Sequence, residues 1–197
     1  MRAARAVIDA ALEASLDADA TALGIVRPAL YEVGLRWAAA EIGVADEHIA
    51  SATAAIALEH LAERAGTGDR PGEQAPSALV ACVQGEHHTL GARIIADALD
   101  RAGWRILYCG ASTPIGDIAA IARDRGAQLV ALSVARRALI PETQRTAAMI
   151  RDRIPGARIL VGGQGCTSPD DCPDADELVL GPDYRPTVQR VRRAAPA

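Results

Sequence analysis

From residue 78 onward the chain alternates short apolar runs with helical stretches, and that alternation restricts its fold more than any other feature. The runs cover residues 78–83, 105–108, 128–133, 158–161 and 177–180, which predicts five strands separated by four helices. Runs that are apolar almost throughout mark strands covered on both faces. That is the habit of a parallel sheet flanked by helices. The expected fold class is therefore α/β, with a doubly wound, five-stranded parallel sheet of the Rossmann-like or flavodoxin-like kind over residues 77–197. Ligands of such sheets lie beyond the carboxyl ends of the strands. Residues 84–91, 109–114, 133–137 and 162–167 follow those ends, so chemistry is sought there first.

Upstream the pattern changes. Residues 3–65 are rich in Ala, Leu and Glu, with apolar residues at helical spacing such as Ala50, Ala54, Leu58 and Leu61. Three or four helices fit, forming a bundle over residues 1–66 that would cap the sheet domain. Residues 67–76 mix glycine, proline and polar groups, the composition of an exposed linker. At the other end, Arg185, Arg190, Arg192 and Arg193 interleave with Val188 and Val191, which reads as an amphipathic closing helix with a solvated basic face.

Composition excludes several functions. A formal net charge of −4 disfavours a surface built to grip nucleic acid. The four cysteines, Cys82, Cys109, Cys166 and Cys172, show no C-x-x-C pairing, which suits a reducing compartment. The opening residues lack the unbroken apolar stretch of a signal peptide, and no segment reaches the length of a membrane span. A cytoplasmic protein without membrane contact is expected.

The loop after the first run reads Gly85-Glu86-His87-His88-Thr89-Leu90-Gly91. A carboxylate two residues before His88 can accept a hydrogen bond from one ring nitrogen, fixing the tautomer and leaving the other nitrogen for a metal. Alone, paired histidines on a polar loop are more often surface residues. Spacing adds to the argument, because forty-one residues separate Gly91 from Ser133 and twenty-six separate Ala135 from Gly162-Gly163. No phosphate-binding glycine pattern fits these loops.

In this three-part pattern the chain resembles the cobalamin-binding domain family, whose signature is D-x-H-x-x-G, then S-x-L, then G-G. The resemblance implies that the benzimidazole tail of the corrinoid leaves cobalt and descends into the sheet. Ser133, Val134 and Ala135 would line that channel with Gly162 and Gly163, and His88 would become the lower axial ligand of cobalt. Glu86, His87, Thr89, Leu90 and Gly91 complete the expected cofactor-binding loop. Two residues depart from the signature: Glu86 replaces the aspartate and Ala135 the leucine.

The helical segment sharpens the resemblance. Trp37 precedes Glu47-His48 by ten residues. This combination resembles the CarH-type B12 photoreceptors, in which it implies that Trp37 covers the adenosyl group of adenosylcobalamin while Glu47 and His48 line its pocket. Those repressors carry a histidine directly after the tryptophan, which takes cobalt once light expels the adenosyl group. Ala38 stands there instead, so that light-state ligand is missing. Their DNA-binding domain is also expected to be absent from this chain.

These readings lead to a stand-alone, non-enzymatic light sensor that holds adenosylcobalamin and signals by a conformational or oligomeric change. A homo-oligomer or light-dependent self-association is expected. Photocobilins, a related subset, carry a bilin beside the corrin, and biliverdin as a second pigment is compatible with Ala38. The alternatives are a corrinoid methyl-carrier subunit of a methyltransferase system and a non-photochemical cobalamin-binding regulator acting in trans.

Overall fold

The computed structural model describes residues 1–66, 72 and 74–193. Backbone contacts divide the chain into two compact units, Met1–Thr67 and Gly68–Ala197. Most of the expected linker, residues 67–71 and 73, lies outside the described residues.

The first unit is helical. It contains α1 (Arg2–Glu13), α2 (Ala18–Thr21), a π turn (Ala22–Val26), α3 (Arg27–Ala38) and α4 (Val44–Ala65). Asp17 caps α2 by accepting a hydrogen bond from the Ala20 N–H at 2.6 Å. The π turn closes with the Arg27 N–H donating to the Ala22 carbonyl, and it is followed at once by Pro28, which has no N–H to continue an α ladder. α1 packs on α4. Ile8 and Ala11 on α1, like Ala57, Leu58 and Leu61 on α4, are buried. Asp9 ties the two helices together, meeting His60 Nε2 at 2.9 Å and accepting from Arg64 Nε at 3.0 Å. α3 differs from its neighbours in burying no side chain.

The second unit holds β1 (Ser77–Val83), α5 (Thr89–Arg101), β2 (Arg105–Thr113), α6 (Ile115–Asp124), β3 (Leu129–Ser133), α7 (Ile140–Arg153), β4 (Arg158–Gly162), β5 (Glu177–Val179) and α8 (Arg185–Arg193). The five strands form one parallel sheet in the order β2-β1-β3-β4-β5. This is the doubly wound arrangement expected. Its strand order reverses between β1 and β3, so the loops leaving those two strands diverge and open the crevice where such sheets take ligands. Leu79, Val83, Val130, Leu132, Ile159 and Val161 pack in one buried cluster with Ile118 of α6 and Ile150 of α7. Full burial of an aliphatic side chain is worth roughly 1.5–3 kcal/mol, so this cluster dominates the unit's stability.

Two features differ from the sequence expectation. β2 runs to Thr113 instead of ending at Tyr108, because two register irregularities against β1 absorb residues whose apolar pattern is broken. Only three α-helices connect the strands among the described residues. The β4–β5 connection, which contains Pro169 and Pro173, forms a single 3₁₀ turn at Pro169–Asp171.

α8 is amphipathic as expected. Thr187, Val188 and Val191 are buried, while Arg190 pairs with Glu177 at 2.9 Å. No described helix is long and apolar enough to cross a membrane.

Candidate functional site

The carboxyl edge of the sheet sets residues from three strands in one row. Parallel pairing aligns Cys82 of β1 with Ser133 of β3, and Ser133 with Gly162 of β4. The register thus sets Ser133 beside Cys82 on the neighbouring strand. Burial, with the Glu86 charge nearby, pushes the Cys82 thiol up to about 11, so it stays protonated. Its Sγ also approaches the His88 carbonyl at 3.8 Å.

The loop leaving β1 is organised around Glu86. Its side chain is 0% exposed, which a carboxylate tolerates only when its oxygens are fully engaged. Oε1 accepts from the His88 N–H at 3.0 Å and lies 2.5 Å from His88 Nδ1. Oε2 accepts from the main-chain N–H groups of Ala135 and Arg136 at 2.8 and 3.0 Å. Burial alone would raise the carboxyl pKa, but the donors from His88, Arg136 and Ala135 outweigh it and hold Glu86 at about 2. An ionised carboxylate only accepts, so Nδ1 carries the proton of this contact and Nε2 is the ring nitrogen left free of it. The imidazole is 65% exposed at the start of α5. A carboxylate longer by one methylene than aspartate thus spans two loops: it orients His88 and anchors the turn after β3.

The residues around this pair have defined places. His87 is exposed, Leu90 is half-buried, and the Thr89 carbonyl accepts from the Tyr108 hydroxyl at 3.2 Å. Gly91 faces open space, with no atom within 4 Å of where its Cβ would be. Val134 is fully buried, its N–H donating to the Gly162 carbonyl at 2.9 Å and its carbonyl accepting from Gly165 at 3.0 Å. Gly162 and Gly163 have intramolecular reasons to be glycine. A Cβ on Gly162 would meet Val179 Cβ at 3.0 Å, and Gly163 adopts φ +116° against the Val134 backbone.

The remaining predicted site residues belong to the helical unit. Trp37, near the end of α3, is 52% exposed, which excludes a purely core role for it. The buried tryptophan is Trp104, at 1%. Glu47 and His48 lie near the start of α4, where Glu47 accepts from the Ser51 hydroxyl at 2.5 Å and lies 3.7 Å from His48 Nε2. Ala38 is the last residue of α3 and is exposed.

Sequence reasoning missed three residues. Arg136 donates its guanidinium to the Gly85 carbonyl. Arg137 grips Asp171 with two hydrogen bonds of 3.0 and 3.1 Å and reaches Thr167 Oγ1 at 2.7 Å, bracing the loop after β4. Ser112 bonds to the Gly85-Glu86 turn. Two adjacent arginines directly after the Ser133-Val134-Ala135 segment were the one visible signal.

An imidazole held by its Nδ1 and offering Nε2 suits a metal whose other positions are filled by its own macrocycle. Among the described residues no three histidine, cysteine or acidic side chains gather to hold a bare ion. Residues 76–186 match the B12 binding domain family, and residues 1–62 match a second B12 binding domain family.

The chain belongs to the B12-binding domain family.

Its cofactor class is accordingly a cobalamin. Over 153 residues it is 32% identical to the HTH-type transcriptional repressor CarA of Myxococcus xanthus, a match covering 76% of this chain and 49% of that one. The chain thus spans about half the length of this curated relative. Solved structures share the B12-binding fold. The Methanosarcina barkeri monomethylamine corrinoid protein superposes with a TM-score of 0.79 at 16% identity, over 95% of this chain and 89% of that one. A cobalamin-binding protein from Desulfitobacterium hafniense DCB-2 does so with a TM-score of 0.57 at 19% identity, over 96% and 90%.

Proposed function

We propose that this chain is a light sensor that holds adenosylcobalamin base-off, with His88 Nε2 as the lower axial ligand of cobalt. The observation that carries this reading is the buried Glu86 carboxylate fixing His88 Nδ1 at the strand-order reversal, which leaves a single exposed imidazole nitrogen to donate. When bound, adenosylcobalamin supplies a cobalt–carbon bond that visible light can break. The protein's part is to hold the imidazole oriented, to receive the tail beside Ser133, Val134, Ala135, Gly162 and Gly163, and to seat the macrocycle over His87, Thr89, Leu90 and Gly91.

For the helical unit the proposal assigns Trp37 to exclusion of water from the adenosyl group, and Glu47 and His48 to its ribose hydroxyls. An exposed indole is available for such a role, whereas a core residue would not be. With Ala38 in place of a histidine, the signal would pass through a change in conformation or self-association that needs no second protein imidazole. A cytoplasmic setting and biliverdin as a second pigment belong to the same proposal.

The test is to load the purified protein with adenosylcobalamin in the dark and record its absorption spectrum and elution volume before and after illumination. Loss of the alkylcobalamin bands on illumination, together with a shifted elution volume, is the expected result. A dark-stable spectrum that light leaves unchanged overturns the sensor reading. His88→Ala is expected to lose the histidine-on spectrum. Methyl transfer from a donor in the presence of partner methyltransferases would favour the carrier alternative.

A further inference from the structure

Ser112, the next-to-last residue of β2, has a left-handed φ of +46°, which side-chain-bearing residues keep only where their surroundings hold them. The surroundings here are the ligand loop. The Gly85 N–H donates to Ser112 Oγ at 3.0 Å, and the Ser112 N–H donates to the Glu86 carbonyl at 2.8 Å. The two bonds run in opposite directions and clamp Ser112 onto the turn that carries Glu86. Gly85 also has positive φ, +84°, so two left-handed residues face each other at the ends of neighbouring strands.

The strand pairing explains how Ser112 arrives there. Ala81 pairs with Gly110 and Val83 with Thr113, so β2 advances three residues while β1 advances two. The extra residue is a bulge, a device that re-aims a side chain at the cost of one ladder position. Without it the Ser112 hydroxyl would continue the regular alternation of the strand.

We infer that Ser112 is a positioning residue for His88, holding the Gly85-Glu86 turn so that the Glu86 carboxylate keeps the imidazole aimed for axial ligation. The inference rests on the reading of His88 as the cobalt ligand. Ala135 and Arg136 hold Glu86 from the β3 side through its side chain, and Ser112 holds the same residue from the β2 side through its main chain. Removing the hydroxyl frees the Gly85 N–H and leaves the main-chain bond to the Glu86 carbonyl as the remaining Ser112 tie on the β2 side, which loosens the turn and lets the carboxylate and the imidazole shift together.

The experiment uses the whole 197-residue chain labelled with [¹⁵N]histidine and loaded with cob(II)alamin. In the electron paramagnetic resonance spectrum a protein imidazole splits the cobalt lines into doublets, whereas the unlabelled benzimidazole gives triplets. Ser112→Ala removes the acceptor and keeps the strained φ. Ser112→Gly removes both acceptor and strain, and Ser112→Asn keeps an acceptor on a residue that tolerates positive φ.

The doublet fraction is expected to fall at least threefold in the Ala and Gly variants and to stay near wild type in the Asn variant. In the cobalamin-free protein, Gly85 amide exchange should accelerate in the same two variants, a readout that stands even if loading is poor. Ala and Gly variants that keep the wild-type doublet fraction would overturn the inference, as would loss in Ala alone, which would make strain the cause. A wild-type protein with no doublet at all would instead overturn the His88 reading.

Discussion

A Cβ placed on Gly163 would lie 2.2 Å from the Val134 carbonyl oxygen, inside any permissible contact, and it would have to do so at φ +116°. The turn after β4 therefore lies directly on the backbone of the turn after β3. Gly163→Ala must push those two turns apart while forcing a disfavoured dihedral angle. A loss of at least about 2 kcal/mol is expected from strain and overpacking together, read as a lower urea midpoint with unchanged slope. A stability equal to wild type would mean the two turns separate freely.

Glu86→Gln keeps the shape of the side chain and removes its charge. Both carboxylate oxygens accept two N–H groups each, so the new amide NH₂ must face donors on one side. The expected cost is about 1–3 kcal/mol for a buried donor left unpaired. If the amide turns toward His88 it donates to Nδ1 and moves the ring proton to Nε2, so histidine-on cobalamin should be lost as well. Urea unfolding and the absorption spectrum of the loaded variant check the two effects separately.

Asp171 is held below its ordinary value of 3.8, first by the Arg137 guanidinium and then by the Thr167 N–H. A depressed carboxylate contributes its full stabilisation above its unfolded-state value and loses it as pH falls through the folded one. Wild-type stability should therefore fall as pH is lowered below about 4, and Arg137→Gln should flatten that acid limb while lowering stability at neutral pH. Urea midpoints measured from pH 7 to pH 3 decide this. An acid limb as steep in the variant as in the wild type would assign the loss to other carboxylates.

The two tryptophans should respond oppositely to truncation. Trp104→Ala empties a buried site and is expected to cost about 3–5 kcal/mol. Trp37→Ala removes a side chain that is 52% exposed, and is expected to change stability by no more than about 0.5 kcal/mol while weakening the hold on adenosylcobalamin. Thermal unfolding of both cobalamin-free variants and dark dissociation of the cofactor from Trp37→Ala are the measurements.

Much of this architecture could be read from the chain because parallel strands covered on both sides must be apolar, and runs such as 78–83 and 128–133 are little else. β2 was read short because its last five residues, Cys109 to Thr113, include Gly110 and Ser112, and bulges hide from any strict period. The expected helix before β5 failed because Pro169 and Pro173 leave no room for one, while Asp171 serves the main-chain N–H groups of Thr167 and Ser168 instead. At the site, the Glu86–His88 contact joins residues two apart and was legible locally. The bonds that brace it, from Ser112, Ala135 and Arg136, join residues 26 to 50 positions from Glu86 and depend on strand register, which a single sequence does not display.

The π turn at Ala22–Val26 has a consequence for Trp37. An α-helix advances about 100° per residue, and a turn that takes in one residue more shifts the phase of everything after it by that amount. The bearing of the indole about its helix axis is therefore set upstream, at the widened turn that closes on Arg27. Deleting one residue from that turn would swing Trp37 through more than a quarter circle with its own neighbours in sequence untouched. The direction in which the most exposed aromatic ring of the helical unit looks is thus set by a turn that ends eleven residues before it.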